Sequence, residues 1–320
     1  MIIRPSVLTF LHVRQTARKL STHTTTTTTK HQPVITVIGG GNMAEALLGG
    51  LQTKQYKQLR YVEAIHERLQ YMRKEYPGMT GLSADPKDQD EALQDANVVV
   101  LAVKPHQLRE ALPSIVHSPS LSKSSPPLFV SIVGGVTISQ MIQWMALNNK
   151  DDSVGRLPPV VRCMPNTPAF LGEGAFGLYA NASVNQDQRE LTDQIMQAVA
   201  KKTLWVEKEA LIDTVTGVSG SGPAYFFLLM EALQNAGMEA GLTKEASKTL
   251  TIQTCLGAAR MAQQEGEDLA SLRKKVTSPK GTTEAAIKTM EDNQVRKLMK
   301  DAVFAATQRA RELSDELDIE

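Results

Sequence analysis

Cysteine is nearly absent from this chain: two in 320 residues, Cys163 and Cys255, lying far apart. That excludes a disulfide framework and a cysteine metal cluster, and it fits a reducing compartment. Long apolar runs are missing too. No stretch approaches the ~20 residues that span a bilayer; the most apolar, 224–230, ends at Glu231 and reads as a buried helix. Acidic residues are missing from the start of the chain, the first being Glu45. Residues 1–30 hold five of the 35 basic side chains and none of the 34 acidic ones, so the body carries 30 basic against 34 acidic. A mildly acidic body argues against a nucleic-acid or anionic-membrane partner.

What the first thirty residues do contain is scattered arginine (Arg4, Arg14, Arg18) and a Ser/Thr tract with threonine at every position from 24 to 29. An acid-free, Arg- and Ser-containing leader has the composition of a mitochondrial or plastid transit segment. Without import the expected location is cytoplasmic. This segment is set aside from the fold.

The remaining chain is long enough for two domains. Strand-like apolar runs occur at 34–38, 61–64, 98–103, 128–133, 160–164, 175–179 and 204–206. Helical spacing occupies 44–51, 68–75, 89–94, 138–145 and 188–200. Near-continuous apolar strands alternating with helices predict a mostly parallel sheet covered on both faces. After Ile212 the pattern turns wholly helical, over 223–236, 243–264, 283–290 and 295–317. Gly237 and Gly266 stand where C-terminal caps belong. The segment 223–236 is apolar on nearly every face, so it is either central or covered by another subunit. The expected division is 1–30 leader, 31–208 sheet domain and 209–320 helical domain.

Chemistry concentrates where strands end. VITVIGGGNMAEAL, starting at Val34, runs a strand into Gly39-Gly40-Gly41 and directly into a helix. The first glycine of this G-x-G permits a tight turn. Gly41 lets a pyrophosphate approach a helix N-terminus, and Ala44 replaces the usual third glycine. This predicts a Rossmann-type dinucleotide domain. Around the second strand's tip, Glu63 would select NAD through ribose hydroxyls and Arg68 would accept the NADP phosphate. Both are equally readable as solvated charges, so the residues leave NADPH or NADH open. In VVVLAVKPHQL a strand stops before Lys104-Pro105, and in VSIVGGVT another stops at Gly134-Gly135. Both ends should face the cofactor, because ligands in open α/β sheets sit beyond the carboxyl ends of strands. RCMPNTPA places Asn166 and Thr167 between two prolines, as a polar loop on the same rim or as a structural turn. In SGSGPAYFF, Ser221 is the expected cap before Pro223. In VTSPKGTT, Ser278 to Thr283 open a helix whose free N–H groups and hydroxyls suit a small carboxylate. Plain helix capping is the alternative.

In this order, and above all in AVKP, MPNTP, SGSGPAY and VTSP-x-GTT, these motifs resemble the pyrroline-5-carboxylate reductase family. The resemblance runs from Val34 to about Asp315. It implies reduction of the cyclic imine 1-pyrroline-5-carboxylate to L-proline, the last step of proline biosynthesis, by NADPH or NADH. It implies a Rossmann domain followed by an all-helical dimerisation domain, with dimers often gathered into decamers. The substrate would sit where the helical domain of one subunit meets the Rossmann domain of another. Cofactor contacts would fall on Ile38, Gly39, Gly40, Gly41, Asn42, Met43, Ala102, Val103, Lys104, Pro105, Ile132, Val133 and Gly134. Substrate contacts would fall on Ser278, Gly281, Thr282 and Thr283, with Thr283 the catalytic candidate. No metal is expected.

Three departures stand out. Lys280 replaces a glycine, Lys274 and Lys275 stand where the family often has an acid or amide, and Ile65 lies near where a serine meets the adenosine phosphate. If position 280 needs φ > 0, lysine strains the loop by about 1 kcal/mol or more; it would alternatively place a cation beside the substrate carboxylate. Two rival readings remain at this level. One is a β-hydroxyacid dehydrogenase of similar architecture, which would need a helical-domain lysine motif that is not evident. The other is a non-catalytic dinucleotide sensor disabled by Lys280.

Overall fold

The structure, a computed structural model, describes residues 32–54, 56–121, 126–147, 157–264 and 266–319. The expected transit segment lies outside them. The described residues form two compact units. The first runs to Gly220 and also takes in Thr307–Glu320; the second is Ser221–Ala306. Residues 209–220 and the end of the last helix, assigned to the helical domain on sequence, thus group with the sheet.

The first unit is built on one eight-stranded sheet in the order β3-β2-β1-β4-β5-β6-β7-β8. Its strands are β1 (Val34–Ile38), β2 (Gln58–Val62), β3 (Thr80–Leu82), β4 (Val98–Leu101), β5 (Leu128–Ser131), β6 (Val160–Met164), β7 (Gly174–Ala180) and β8 (Ala200–Trp205). All neighbours run parallel except β6 and β7. The order reverses between β1 and β4, the topological switch point at which such sheets bind ligands.

Helices α1 (Asn42–Leu51), α2 (His66–Glu75), α3 (Pro86–Leu93), α4 (Pro105–Val116), α5 (Ile138–Met145) and α6 (Gln186–Met196) cover the sheet. The central strands are apolar on both faces because both are buried. Val98 and Val100 join one cluster with Ile35, Leu47, Leu48 and Met72, while Val99 and Leu101 join another with Leu108, Leu112 and Phe129. Thr36 is the polar exception in β1; its hydroxyl donates to the Ala92 carbonyl at 2.5 Å and so satisfies itself in the core. Capping boxes start two of the helices. Thr137 and Gln140 exchange bonds at the head of α5, and Asn185 and Gln188 do so at the head of α6.

A short helix α7 (Leu211–Val215) passes into a π-helical turn, Thr216–Gly220. The second unit then holds α8 (Gly222–Glu239), α9 (Lys244–Gln264), α10 (Leu269–Lys275), α11 (Thr282–Asp292) and the first part of α12 (Val295–Ile319). The end of α12 returns to the sheet. Gln140 Nε2 donates to the Ser314 carbonyl at 2.8 Å and Ser314 Oγ donates to the Gly135 carbonyl at 2.6 Å, with Leu317 packed on the second core cluster.

Two capping expectations are corrected. Ser221 makes no side-chain cap bond, because its helical φ of −82° and ψ of −20° continue the π turn rather than adopting the extended cap geometry. Gly237 lies inside α8, where a Cβ would stand 2.3 Å from Ser247 Oγ; its role is the close approach of α8 and α9. The left-handed residue after α8 is Gly241, at φ +104°. Gly266, at φ +63°, does follow α9 in the left-handed conformation.

Candidate active site

Strands β1, β2, β4 and β5 end on one rim, and a cleft of about 820 Å³ opens there. All thirteen residues expected to touch the cofactor line it, from Ile38 to Met43, Ala102 to Pro105 and Ile132 to Gly134. The glycines explain how. Gly39 holds φ +104° and a Cβ on it would lie 2.7 Å from the Ala102 carbonyl, so only glycine turns here. At Gly41 and Gly134 a Cβ would meet nothing within 4 Å, so both offer bare backbone to the open cleft. Gly41 is also the extended N-cap of α1. The helix's own bonding begins with Glu45 N–H on the Gly41 carbonyl at 2.9 Å, so the preceding N–H groups are left for an anion. This cradle fits a dinucleotide pyrophosphate. Gly135 differs from the expectation that both glycines face the ligand: at φ +76° it turns under α12, 3.6 Å from Leu313 at the Cβ position.

Neither of the two charges that follow β2 stands free in solvent. Glu63 is 7% exposed, accepts the Ile65 N–H at 2.7 Å and lines the cleft. Arg68 turns inward: Nε donates to the Gly40 carbonyl at 2.8 Å, and the guanidinium pairs with the wholly buried Glu45. Tyr71 adds its hydroxyl to Glu45 at 3.0 Å, and desolvation with that bond pushes the Tyr71 phenol up to about 12. Arg68 therefore clamps the glycine turn from below, a role that sequence spacing alone did not indicate.

In the MPNTP loop, Asn166 is a bracing residue. Asn166 is buried, donates to the Ser219 carbonyl at 3.1 Å and accepts the Ala175 N–H at 3.0 Å, bracing β6, β7 and the π turn. Neither it nor Thr167 lines the cleft. Burial pushes the Cys163 thiol up, which makes it an inert core group. A second cavity of about 830 Å³, bounded by α4, α5 and Leu317, contains no glycine turn, so it is not the dinucleotide site.

In the second unit, Ser278-Pro279-Lys280-Gly281 form a turn closed by Gly281 N–H on the Ser278 carbonyl at 3.1 Å. Lys280 has φ +59°, the left-handed conformation that a type II turn demands at its third position. The strain expected of a lysine there is real, and the turn forms despite it. The Lys280 N–H donates to Glu284 Oε2 at 2.7 Å, which pins the turn to α11. Gly281 is the extended N-cap of α11, and a Cβ on it would lie 3.0 Å from the Ser278 carbonyl. Thr282 and Thr283 occupy the first turn, Thr282 exposed and Thr283 half-buried. Ser278, Gly281, Thr282 and Thr283 are thus gathered at one helix start. Arg273, Lys274 and Lys275, in the last turn of α10, give the approach a positive field.

Lys280→Gly is expected to raise the stability of this unit by up to about 1 kcal/mol, relief of left-handed strain being partly offset by unfolded-state entropy. Lys280→Ala should not, because it keeps the strain. Thermal unfolding of the three proteins compares them.

Residues 34–134 match the NADP oxidoreductase coenzyme F420-dependent family, and residues 209–313 match the pyrroline-5-carboxylate reductase dimerisation family. A pyrroline-5-carboxylate reductase of Pseudomonas aeruginosa is 44% identical over 287 residues, 89% of this chain and 98% of that one. The chain belongs to the pyrroline-5-carboxylate reductase family. The structure of a pyrroline-5-carboxylate reductase from Coxiella burnetii is similar at TM-score 0.79 and 40% identity, covering 88% of this chain and 99% of that one. A Plasmodium falciparum pyrroline carboxylate reductase with NADP bound is similar at TM-score 0.70 and 27% identity, covering 89% and 99%. The family's dimerisation region covers α7 to most of α12, which marks this chain as an oligomer. Among the described residues no helix is long and apolar enough to cross a membrane, and no cluster of His, Cys, Asp or Glu suits a metal ion.

Proposed function

We infer that the protein reduces 1-pyrroline-5-carboxylate to L-proline with NADH or NADPH. The observation that carries this is the open glycine cradle at the strand ends, in a chain of this family that also gathers Ser278, Gly281, Thr282 and Thr283 at one helix start. The bound dinucleotide supplies a hydride. The chain's residues supply position. N–H groups at the start of α11 hold the substrate carboxylate, helped by the helix dipole. The Thr283 hydroxyl hydrogen-bonds the ring nitrogen. A ring imine arrives partly protonated, so the site needs no strongly perturbed acid. Rate then comes from orientation and exclusion of water.

Under this reading the Ser278–Thr283 loop works on the cleft of a neighbouring subunit, so the dimer is the smallest active form and dimers assemble further, up to a decamer. Residues 1–30 direct import into a mitochondrion or plastid; failing that, the enzyme acts in the cytoplasm. The test is oxidation of NADH and NADPH with pyrroline-5-carboxylate, repeated on Thr283→Ala. Loss of a hydrogen bond to a charged ring nitrogen should lower kcat/KM by about 10–100-fold, the equivalent of about 1.5–3 kcal/mol. Thr283→Ser should retain most activity. An unchanged Thr283→Ala enzyme would remove Thr283 from the reaction.

A further inference from the structure

We propose that Glu63 makes this chain select NADH over NADPH, an inference that rests on the dinucleotide reading of the cleft. In such a cleft the tip of β2 meets the adenosine ribose, where an acid accepts the 2′-hydroxyl and a cation accepts a 2′-phosphate. The acid is present and fixed. Glu63 is 7% exposed, one oxygen takes the Ile65 N–H at 2.7 Å, and the other lies against the glycine turn, 2.4 Å from where a Gly40 Cβ would be.

The capping N–H and the nearest side-chain cation that would receive a phosphate are committed elsewhere. The Ile65 N–H, first in line at the start of α2, is already used by Glu63. Arg68 bonds the Gly40 carbonyl and Glu45. Ile65 itself, 61% exposed on the cleft wall, offers only hydrocarbon. Lys104 lines the cleft at the end of β4, but β1 separates it from β2, a span of about 10 Å at ordinary strand spacing. His66 and Lys87 stand outside the lining, with Glu67 and Asp88 as their chain neighbours. A 2′-phosphate would thus sit beside a half-enclosed carboxylate with no cation of its own, like charge against like charge in a poorly solvated corner.

Calorimetric titration of the full chain with NADH and with NADPH, without substrate, tests this directly. The expected result is NADPH binding at least tenfold more weakly, with the same bias in kcat/KM. Glu63→Gln, which keeps the shape and removes the charge, should narrow the ratio several-fold. Ile65→Arg, a change at an exposed position that does not endanger folding, should strengthen NADPH relative to NADH at least tenfold. Equal or tighter binding of NADPH by the unaltered chain overturns the proposal, as does an Ile65→Arg protein that gains nothing for NADPH. If neither nucleotide binds, the dinucleotide reading falls too; if both bind alike, only the selectivity of Glu63 falls.

Discussion

Arg162→Ala is expected to destabilise the first unit by about 3–5 kcal/mol, because it strands the buried carboxylate of Asp213 rather than merely deleting a contact. Arg162 lies on β6, 3% exposed, where a cation is normally excluded. Its guanidinium reaches Glu209 at 3.3 Å and Asp213 at 3.4 Å, both on the segment that leads through α7 to the π turn. Glu209 also accepts the Ile138 N–H at 2.7 Å, and Arg311 on the returning α12 approaches Asp213 at 3.8 Å. Arg162 therefore ties β6 to α7 and, through Glu209, to α5, while Arg311 brings in α12. With alanine at 162, Glu209 is open enough to regain water, but Asp213, at 11% side-chain exposure, is left with the distant Arg311 as its cation among the described residues. The cost should fall mainly through Asp213. Arg162→Ala combined with Asp213→Asn should then be milder than the sum of the single changes, since the network is coupled. Both tryptophans, Trp144 and Trp205, belong to this unit, so their fluorescence in urea reports its midpoint at fixed protein concentration. Additive losses, or a loss below about 1 kcal/mol for Arg162→Ala, would show the network to be dispensable.

The sheet and the dinucleotide cradle were legible because each rests on a local rule. An apolar strand running into Gly39 and Gly41 and then a helix admits few structures, and Pro105 must end the strand before it. What escaped was set by tertiary partners. β3 is three residues long at the sheet's edge, with Thr80 exposed, so it carries no periodic signal. Helix α4 contains Pro113, which argues against a helix in sequence although the helix tolerates it. Expecting Arg68 at the ribose followed from spacing, but the buried Glu45 one turn into α1 draws it inward. Gly237 looked like a cap because glycine after an apolar helix usually is one; the contact with Ser247, ten residues on, is invisible in one dimension. Lys280 is the reverse case. The glycine that the family usually has there raised the question of φ > 0, and the structure has that conformation.

Phe227→Glu is expected to convert the oligomer to monomers and to lower activity by more than 100-fold. Within the single chain α8 leaves Phe226, Phe227 and Leu228 more than 60% exposed, and Leu229 and Leu233 about half exposed. Four consecutive helical residues point around the whole helix, so α8 is bare on most sides, beyond what a stable monomer shows. The helix sits inside the region matched by the family's dimerisation model, 209–313, so a second copy is the expected cover. In a two-fold interface each substitution counts twice. Losing two buried phenylalanine side chains removes about 3–6 kcal/mol, and burying two carboxylates opposes association further. The dimer dissociation constant should rise by at least 10²–10⁴-fold, since each 1.4 kcal/mol is a factor of ten. Light scattering on a size-exclusion column measures the mass. The first unit keeps its own core, so dinucleotide binding should survive in the monomer while imine reduction is lost. That split distinguishes disassembly from misfolding, and a monomer with undiminished turnover would show that the Ser278–Thr283 loop serves its own chain's cleft rather than a partner's.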